Sequence, residues 1–177
     1  MELVTTPTLD DARAVLRARF GYADFRPGQE RAVRAVLGGR DTLVILPTGG
    51  GKSLCYQVPA LLLPGLTVVV SPLISLMKDQ VDALTARGLP AAFVNSTLTS
   101  AQAAGRFQQA ARGELKLLYV APERFDFGNT AERLRDMGVS LLAIDEAHCI
   151  SEWGHDFRPS YLRMRRVREA LGDPVTL

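Results

Sequence analysis

Short apolar runs alternate with helical segments along almost the whole chain, and this alternation constrains the fold more than any other feature. The runs are rich in β-branched residues, and the segments between them repeat apolar residues at helical spacing. Strands that are apolar on both faces are typical of parallel sheets covered by helices on each side. The sequence therefore predicts an α/β domain with a mostly parallel central sheet. The predicted strands cover residues 41–46, 66–71, 91–95, 115–120, 140–144 and 174–177.

Helices are predicted before the first strand as well as between the strands. Thr8 and Asp11 have the spacing of a capping box, and apolar residues follow at helical intervals as far as Phe20. Pro27 suits the first turn of a second helix. We expect these N-terminal helices, over residues 1–40, to pack on an α/β domain that spans residues 41–177.

Length and composition narrow the class of protein. A chain of 177 residues is long enough for one domain with a hydrophobic core. Its formal charge of +2 is too small for a strong overall field that would attract nucleic acid, so such binding would need a local basic patch. Cys55 and Cys149 lack the spacing of a metal site, and we interpret them as reduced thiols. No signal peptide is evident, and prolines interrupt the longest apolar run. The sequence therefore predicts a cytosolic protein without a membrane partner.

A glycine-rich loop follows the first predicted strand and precedes a predicted helix. Glycines in such a loop let backbone N–H groups converge on phosphate oxygens, and the N-terminus of the helix adds partial positive charge. Lys52 would reach the β- and γ-phosphates of a nucleotide, and the hydroxyl of Ser53 would hold Mg²⁺. The candidate cofactor-binding residues of the loop are Thr48, Gly49, Gly50, Gly51, Lys52 and Ser53.

The match to a phosphate-binding loop is incomplete. The strict pattern has glycine at the position of Leu46, so a glycine-rich turn with an incidental lysine is the alternative. The strand before the loop, the helix after it and an acidic motif downstream favour nucleotide binding.

Two adjacent carboxylates, Asp145 and Glu146, end the fifth predicted strand. In a parallel α/β sheet the carboxyl ends of the strands and the phosphate loop share one edge, where ligands bind. Asp145 would reach Mg²⁺ directly or through water, and Glu146 would orient and deprotonate the attacking water. A helix-capping pair is the alternative, which the phosphate loop disfavours. The candidate catalytic residues are therefore Lys52, Asp145 and Glu146, and the candidate Mg²⁺ ligands are Ser53 and Asp145.

Residues 145–148 read "DEAH", and residues 149–161 read "CISEWGHDFRPSY". The first segment resembles motif II of superfamily 2 helicases, and the second resembles the RecQ family of DNA helicases. The resemblance extends to "FGYADFRPGQ", "LPTGGGKSLCYQ", "VVVSPLISLMKDQV" and "LLYVAPERF". It implies a RecA-like P-loop NTPase domain that uses ATP and Mg²⁺. It also implies 3′-to-5′ translocation on single-stranded DNA, duplex unwinding, and a role in DNA repair and recombination.

The segment "FGYADFRPGQ" resembles the motif that recognises adenine in this family. The resemblance implies that Gln29 reads the base edge, with Tyr22 and Arg26 on or beside the ring. An amide can pair bidentately with adenine, while an aromatic ring and a guanidinium supply planar surfaces. A helix-start turn explains "RPGQ" equally well, and it is the resemblance that favours adenine.

The aromatic-rich loop within residues 149–161 has a separate implied role. Trp153 and Phe157 would offer flat faces to unstacked bases, each worth about 1–3 kcal/mol, and Arg158 would pair with a phosphate or stack. The resemblance implies that the loop senses single-stranded DNA and relays binding to the acidic pair. A hydrophobic plug is the alternative, but the polar and glycine neighbours favour an exposed loop. The candidate DNA-binding and coupling residues are His148, Trp153, His155, Phe157 and Arg158.

Helicases of this superfamily hold ATP between two RecA-like domains, and we expect this chain to be the first of them, without the second domain or C-terminal modules. The expected partners are single-stranded and partly duplex DNA and the second RecA-like domain, in a bacterial-type, nucleoid-associated protein. Alone, the chain would hydrolyse ATP poorly, because the second domain normally supplies an arginine finger that raises the rate about 10³–10⁵-fold. The alternatives are an RNA helicase, a superfamily 2 translocase that does not unwind, and a truncated nucleotide-dependent DNA-binding module.

Overall fold

The computed structural model describes residues 5–151 and 156–177, and a parallel β-sheet forms its centre. The strands are β1 (Leu66–Val70), β2 (Ala91–Val94), β3 (Leu117–Val120), β4 (Val139–Ile144) and β5 (Val175–Thr176). Within the described residues their order is β2-β3-β1-β4-β5, and every neighbouring pair is parallel. The prediction of a mostly parallel sheet is confirmed.

Helices precede and connect the strands. They are α1 (Leu9–Val15), α2 (Pro27–Leu37), α3 (Leu54–Leu62), α4 (Ile74–Ala86), α5 (Ser100–Ala111), α6 (Thr130–Asp136) and α7 (Met164–Ala170). A π-helical stretch, Leu16–Phe20, continues α1. Shorter 3₁₀ turns cover Pro122–Asp126, Ala147–Ile150 and Pro159–Arg163. The predicted capping box is confirmed, since the N–H of Asp11 donates to Thr8 Oγ1 at 3.2 Å and the N–H of Thr8 donates to Asp11 Oδ2 at 2.7 Å.

Each face of the sheet carries a hydrophobic core of its own. Val69 and Leu141 belong to the core that helices α1 to α4 cover. Val68 and Leu142, one position along the same strands, belong to the core that helices α5 to α7 cover. Successive side chains of a strand point to opposite faces, so burial on both sides requires runs without polar alternation. The prediction of helices on both faces is confirmed.

The N-terminal helices pack on the same core as α3. Leu16 and Val36 are buried there together with Tyr56 of α3. Arg13 contributes at the surface, because its guanidinium lies 3.1 Å from the carboxylate of Glu30 and links α1 to α2. A partly exposed ion pair of this kind adds little stability, so the apolar contacts hold these helices in place. The proposed division of the chain at residue 40 stays a prediction.

The predicted strand over residues 41–46 is wrong, because these residues form no strand in the structure. The N–H of Thr42 donates to the carbonyl of Thr176 at 2.9 Å, so pairing with β5 begins. It stops there because β5 is only two residues long, and a strand needs a partner for its backbone groups. The side chains of Leu43 and Ile45 are 77% and 85% exposed. Apolar character alone did not make this segment a strand.

The two cysteines are buried free thiols. Burial raises the pKa of Cys55 to about 11, so its thiol stays protonated near neutral pH. In residues 5–151 and 156–177 no helix combines the length and the apolar character that a membrane span requires.

Candidate active site

The carboxyl end of β4, residues 42–46 and Lys52 of the phosphate loop line one cavity of about 710 Å³. Lys52, Asp145, Glu146 and His148 all contribute to its lining. This is the edge of a parallel sheet at which ligands bind, because loops that follow neighbouring strands converge there. The structure therefore brings the three candidate catalytic residues to one place.

The phosphate loop is built by glycines in a left-handed backbone conformation. Gly49 and Gly51 both have φ of +76°, which other residues adopt only at a cost. Between them the N–H of Gly50 donates to the carbonyl of Pro47 at 2.8 Å, which closes a tight turn. Ser53 is the N-cap of α3, so its hydroxyl lies where the loop meets the N-terminus of that helix.

Lys52 lies with its ammonium group turned towards its own loop. Its Nζ donates to the carbonyl of Leu46 at 3.3 Å. It is also close enough to Asp145 for its positive charge to lower the pKa of that carboxyl. The ammonium group thus lies between the start of the phosphate loop and the acidic pair.

The acidic pair occupies a strained turn at the end of β4. The N–H of Asp145 still belongs to the sheet and donates to the carbonyl of Val70 at 2.9 Å. The next residue, Glu146, has φ of +53° and ψ of +43°, the left-handed region that a glutamate rarely adopts. Its N–H donates to Asp145 Oδ1 at 2.9 Å, so the first carboxylate helps to hold the second residue.

The pKa of Asp145 is raised above its usual value, first by burial and then by the negative charge of Glu146. The neighbouring N–H of Glu146 and the charge of Lys52 act in the opposite direction. A buried carboxylate beside a second one is electrostatically unfavourable unless a cation approaches. The turn is therefore suited to bind a positively charged ligand.

His148 contacts two carboxylates from opposite sides of its ring. Its Nδ1 lies 3.2 Å from Glu146 Oε2, and its Nε2 lies 3.4 Å from Asp156 Oδ2. A neutral imidazole has one N–H, so both contacts are hydrogen bonds only when the ring carries both protons. His148 thus connects the acidic pair to the far side of the aromatic-rich loop.

Phe157 and Arg158 lie at a second cavity of about 480 Å³, outside the one that the acidic pair lines. Arg158 Nη1 lies 3.8 Å from Glu123 Oε1, in the "APER" segment. Arg163 Nη1 lies 2.8 Å from Asp126 Oδ1 at the same cavity. Trp153 and His155, the other predicted loop residues, lie outside the described residues.

Two of the three residues predicted to recognise adenine, Arg26 and Gln29, contact the phosphate loop. Gln29 is only 4% exposed, and its Nε2 donates to the carbonyls of Gly50 at 3.3 Å and Gly51 at 3.1 Å. Its Oε1 accepts from the N–H of Arg26 at 2.9 Å. Arg26 donates to the carbonyl of Gly49 at 3.2 Å, whereas Tyr22 is 52% exposed. In this structure Gln29 therefore supports the loop.

Comparison with known proteins tests the resemblance. A model of the DEAD/DEAH box helicase family matches residues 26–175. The chain belongs to the DEAD/DEAH box helicase family. Membership implies nucleotide use, which agrees with the prediction made from the glycine-rich loop and the acidic pair.

Relatives in this family confirm the resemblance to RecQ. The chain is 49% identical over 172 residues to the ATP-dependent DNA helicase RecQ of Haemophilus influenzae, covering 97% of this chain and 27% of that protein. It is 50% identical over 171 residues to the ATP-dependent DNA helicase RecQ of Bacillus subtilis, covering 96% of this chain and 29% of that protein. The chain thus spans less than a third of the length of these relatives.

Solved structures of helicases share the fold. A hypothetical ATP-dependent RNA helicase from Sulfolobus tokodaii matches with a TM-score of 0.70 and 18% identity, covering 94% of this chain and 48% of that one. The DUF1998 helicase MrfA, solved bound to DNA, matches with a TM-score of 0.74 and 19% identity, covering 96% and 26%. At these identities the likeness concerns the fold alone, and it confirms the expectation of a RecA-like helicase domain.

Two residues of the site were not selected from the sequence. Asp156 contacts His148, and the hydroxyl of Tyr161 donates to the carbonyl of Asp145 at 2.8 Å. Both lie within the segment that resembles RecQ, but nothing in their spacing distinguishes a contact with the acidic turn from solvent exposure or core packing.

Proposed function

We propose that this chain is the first RecA-like motor domain of a RecQ-type ATP-dependent DNA helicase. ATP hydrolysis would drive 3′-to-5′ translocation on single-stranded DNA and duplex unwinding, in the repair or recombination of DNA in the bacterial nucleoid and cytosol. The observation that carries the proposal is the cavity shared by Lys52, Asp145 and Glu146 in a chain 49% identical to a RecQ helicase. The relatives' greater length supports a second RecA-like domain as a partner.

Mg²⁺ fits the donor set of this site. It prefers oxygen ligands, retains several waters, and takes only one or two protein groups together with substrate phosphates. The hydroxyl of Ser53 and the partly buried carboxylate of Asp145 would hold it, and the neighbouring charge of Glu146 favours a cation there. When bound, it would neutralise charge on the phosphates.

The remaining residues would share the chemistry of ATP hydrolysis. Lys52 would place its ammonium against the β- and γ-phosphates, leaving its contact with the carbonyl of Leu46. The N–H groups of the glycine-rich loop would bind phosphate oxygens. Glu146 would orient the attacking water and accept its proton, and its contact with His148 would link it to the aromatic-rich loop.

Adenine would occupy the surface between Tyr22 and the start of α2. Arg26 and Tyr22 would flank the ring, and Gln29 would exchange its contacts with Gly50 and Gly51 for the base edge. Nucleotide binding would in this way alter the support of the phosphate loop.

Single-stranded DNA would bind the aromatic-rich loop. Trp153 and Phe157 would stack on bases, and Arg158 would exchange Glu123 for a phosphate. The contacts of His148 with Glu146 and Asp156 support a relay from this loop to the catalytic carboxylate.

The test is the ATPase activity of the full-length protein with single-stranded DNA, with RNA of the same sequence, and without nucleic acid. We expect stimulation by DNA, its loss in Trp153→Ala, and loss of hydrolysis in Lys52→Ala. Phe127→Ala removes an aromatic side chain that is 75% exposed outside the loop, and it is the matched control.

Each contrary result has a definite meaning. Equal stimulation by RNA would favour an RNA helicase, and stimulation without strand separation would favour a translocase. Full DNA stimulation in Trp153→Ala would refute the sensor role. DNA binding that depends on ATP without hydrolysis would favour a binding module. Robust unwinding by the 177-residue chain alone would contradict its assignment as one domain of two.

A further inference from the structure

Tyr161 joins the end of the aromatic-rich loop to the start of the acidic turn. It belongs to the 3₁₀ turn Pro159–Arg163, sixteen residues after Asp145. Its side chain is fully buried, yet its hydroxyl donates to the carbonyl of Asp145 at 2.8 Å. A buried phenol that spends its one donor on a backbone carbonyl fixes the position of that carbonyl.

The carbonyl in question belongs to the peptide that sets the direction of Glu146. That peptide has two polar groups, the carbonyl of Asp145 and the N–H of Glu146. Tyr161 holds the first, and Asp145 Oδ1 holds the second at 2.9 Å. With φ of +53° at Glu146, the peptide is in a conformation that must be held by its surroundings.

The two contacts differ in how permanent they are. The carboxylate of Asp145 is also a candidate ligand for a cation, so its hold on the N–H of Glu146 competes with another role. The hydroxyl of Tyr161 has no second partner in the described residues.

We propose that Tyr161 is a positioning residue for Glu146, whose hydroxyl fixes the peptide between Asp145 and Glu146 and so directs the Glu146 carboxylate into the cavity. The proposal rests on the proposed ATPase function. It also gives the loop a direct mechanical connection to the turn. The N–H of Arg158 donates to the carbonyl of Cys149 at 2.9 Å, and Tyr161 follows Arg158 by three residues.

Tyr161→Phe in the full-length protein removes the hydroxyl and keeps the ring. Tyr119→Phe is the matched control, because Tyr119 is also fully buried and its hydroxyl accepts one hydrogen bond, from Gln57 Nε2 at 3.1 Å, within the core. We expect Tyr161→Phe to lower the kcat of DNA-stimulated ATP hydrolysis about tenfold, with the KM for ATP within about twofold, as when an interaction made only in the transition state is lost. Tyr119→Phe should leave both constants within about twofold.

A second readout needs no catalysis. In the nucleotide-free protein, amide hydrogen exchange of a peptide spanning residues 143–150 should accelerate in Tyr161→Phe and not in Tyr119→Phe. Unchanged exchange together with unchanged kcat would overturn the proposal, and so would an equal fall of kcat in both variants. If the parent protein hydrolyses ATP no faster than Lys52→Ala, the proposed function itself fails and this proposal falls with it.

Discussion

Gly51 and Gly49 offer a matched pair for measuring how strongly Gln29 supports the phosphate loop. Both glycines have φ of +76°, so alanine at either position meets the same backbone strain, roughly 1–2 kcal/mol. Their surroundings differ. A Cβ on Gly49 meets nothing within 4 Å, whereas a Cβ on Gly51 would lie 2.3 Å from Gln29 Nε2. Gly51→Ala must therefore displace the amide, and Gly49→Ala leaves it in place.

Displacement of Gln29 breaks its contacts with the carbonyls of Gly50 and Gly51 and with the N–H of Arg26. Each such bond contributes about 0.5–1.5 kcal/mol net, and the buried amide must find other partners. We expect Gly49→Ala to lower the free energy of unfolding by about 1–2 kcal/mol. Gly51→Ala should lower it by roughly 2–4 kcal/mol more.

Urea denaturation of the nucleotide-free chain measures both values, provided that the slope of the transition stays the same. A double-mutant cycle with Gln29→Ala then isolates the contact, because in that background the extra cost of Gly51→Ala should vanish. Equal destabilisation by the two alanines in the parent chain would show that Gln29 does not hold the loop.

Three further substitutions test the electrostatics and the fold. Asp145→Asn should raise the melting temperature of the nucleotide-free protein at pH 7. The pKa of Asp145 in the folded protein is raised above its ordinary value of 3.8, so the folded state favours the protonated carboxyl. The stability that this preference contributes is present below pH 3.8 and is lost as the pH rises through the folded-state pKa. The gain should shrink towards pH 4, and a gain independent of pH would point to another cause. Ile45→Ser should change the unfolding free energy by no more than about 0.5 kcal/mol, whereas Leu118→Ala, fully buried, should cost about 2–5 kcal/mol by urea denaturation. A large loss in Ile45→Ser would restore the strand prediction for residues 41–46.

The sheet could be predicted from the sequence where strands are buried on both faces. Residues 66–70 are apolar except for Thr67, residues 117–120 are largely apolar, and in the structure both segments lie between two layers of helices. Residues 43–46 are apolar as well, yet residues 41–46 lack a strand partner beyond the contact of Thr42 with β5. The hydrophobicity of a segment indicates that it tends to be buried, but it carries no information about which strand lies beside it.

Part of the candidate site could likewise be predicted from the sequence, and part could not. The cavity shared by Lys52 and Asp145 follows from the rule that strand ends and phosphate loop share an edge, which holds for any parallel α/β sheet. The contacts of Gln29 and Tyr161 depend on side chains reaching backbone carbonyls more than fifteen residues away. The left-handed conformation of Glu146 could not be predicted either, because glutamate has no intrinsic preference for it and tertiary contacts hold it there.

The contact between β5 and Asp41 has a consequence for the order in which this chain folds. Asp41 Oδ1 accepts from the N–H of Thr176 at 3.0 Å, across a separation of 135 residues. Among the described residues, the segment that leads into the phosphate loop pairs its backbone only with β5, so during synthesis from the N-terminus it stays unpaired until β5 has left the ribosome. Closing so long a loop is entropically costly and slow. We expect the nucleotide pocket to form last, after α1 to α4 and the three central strands have already packed.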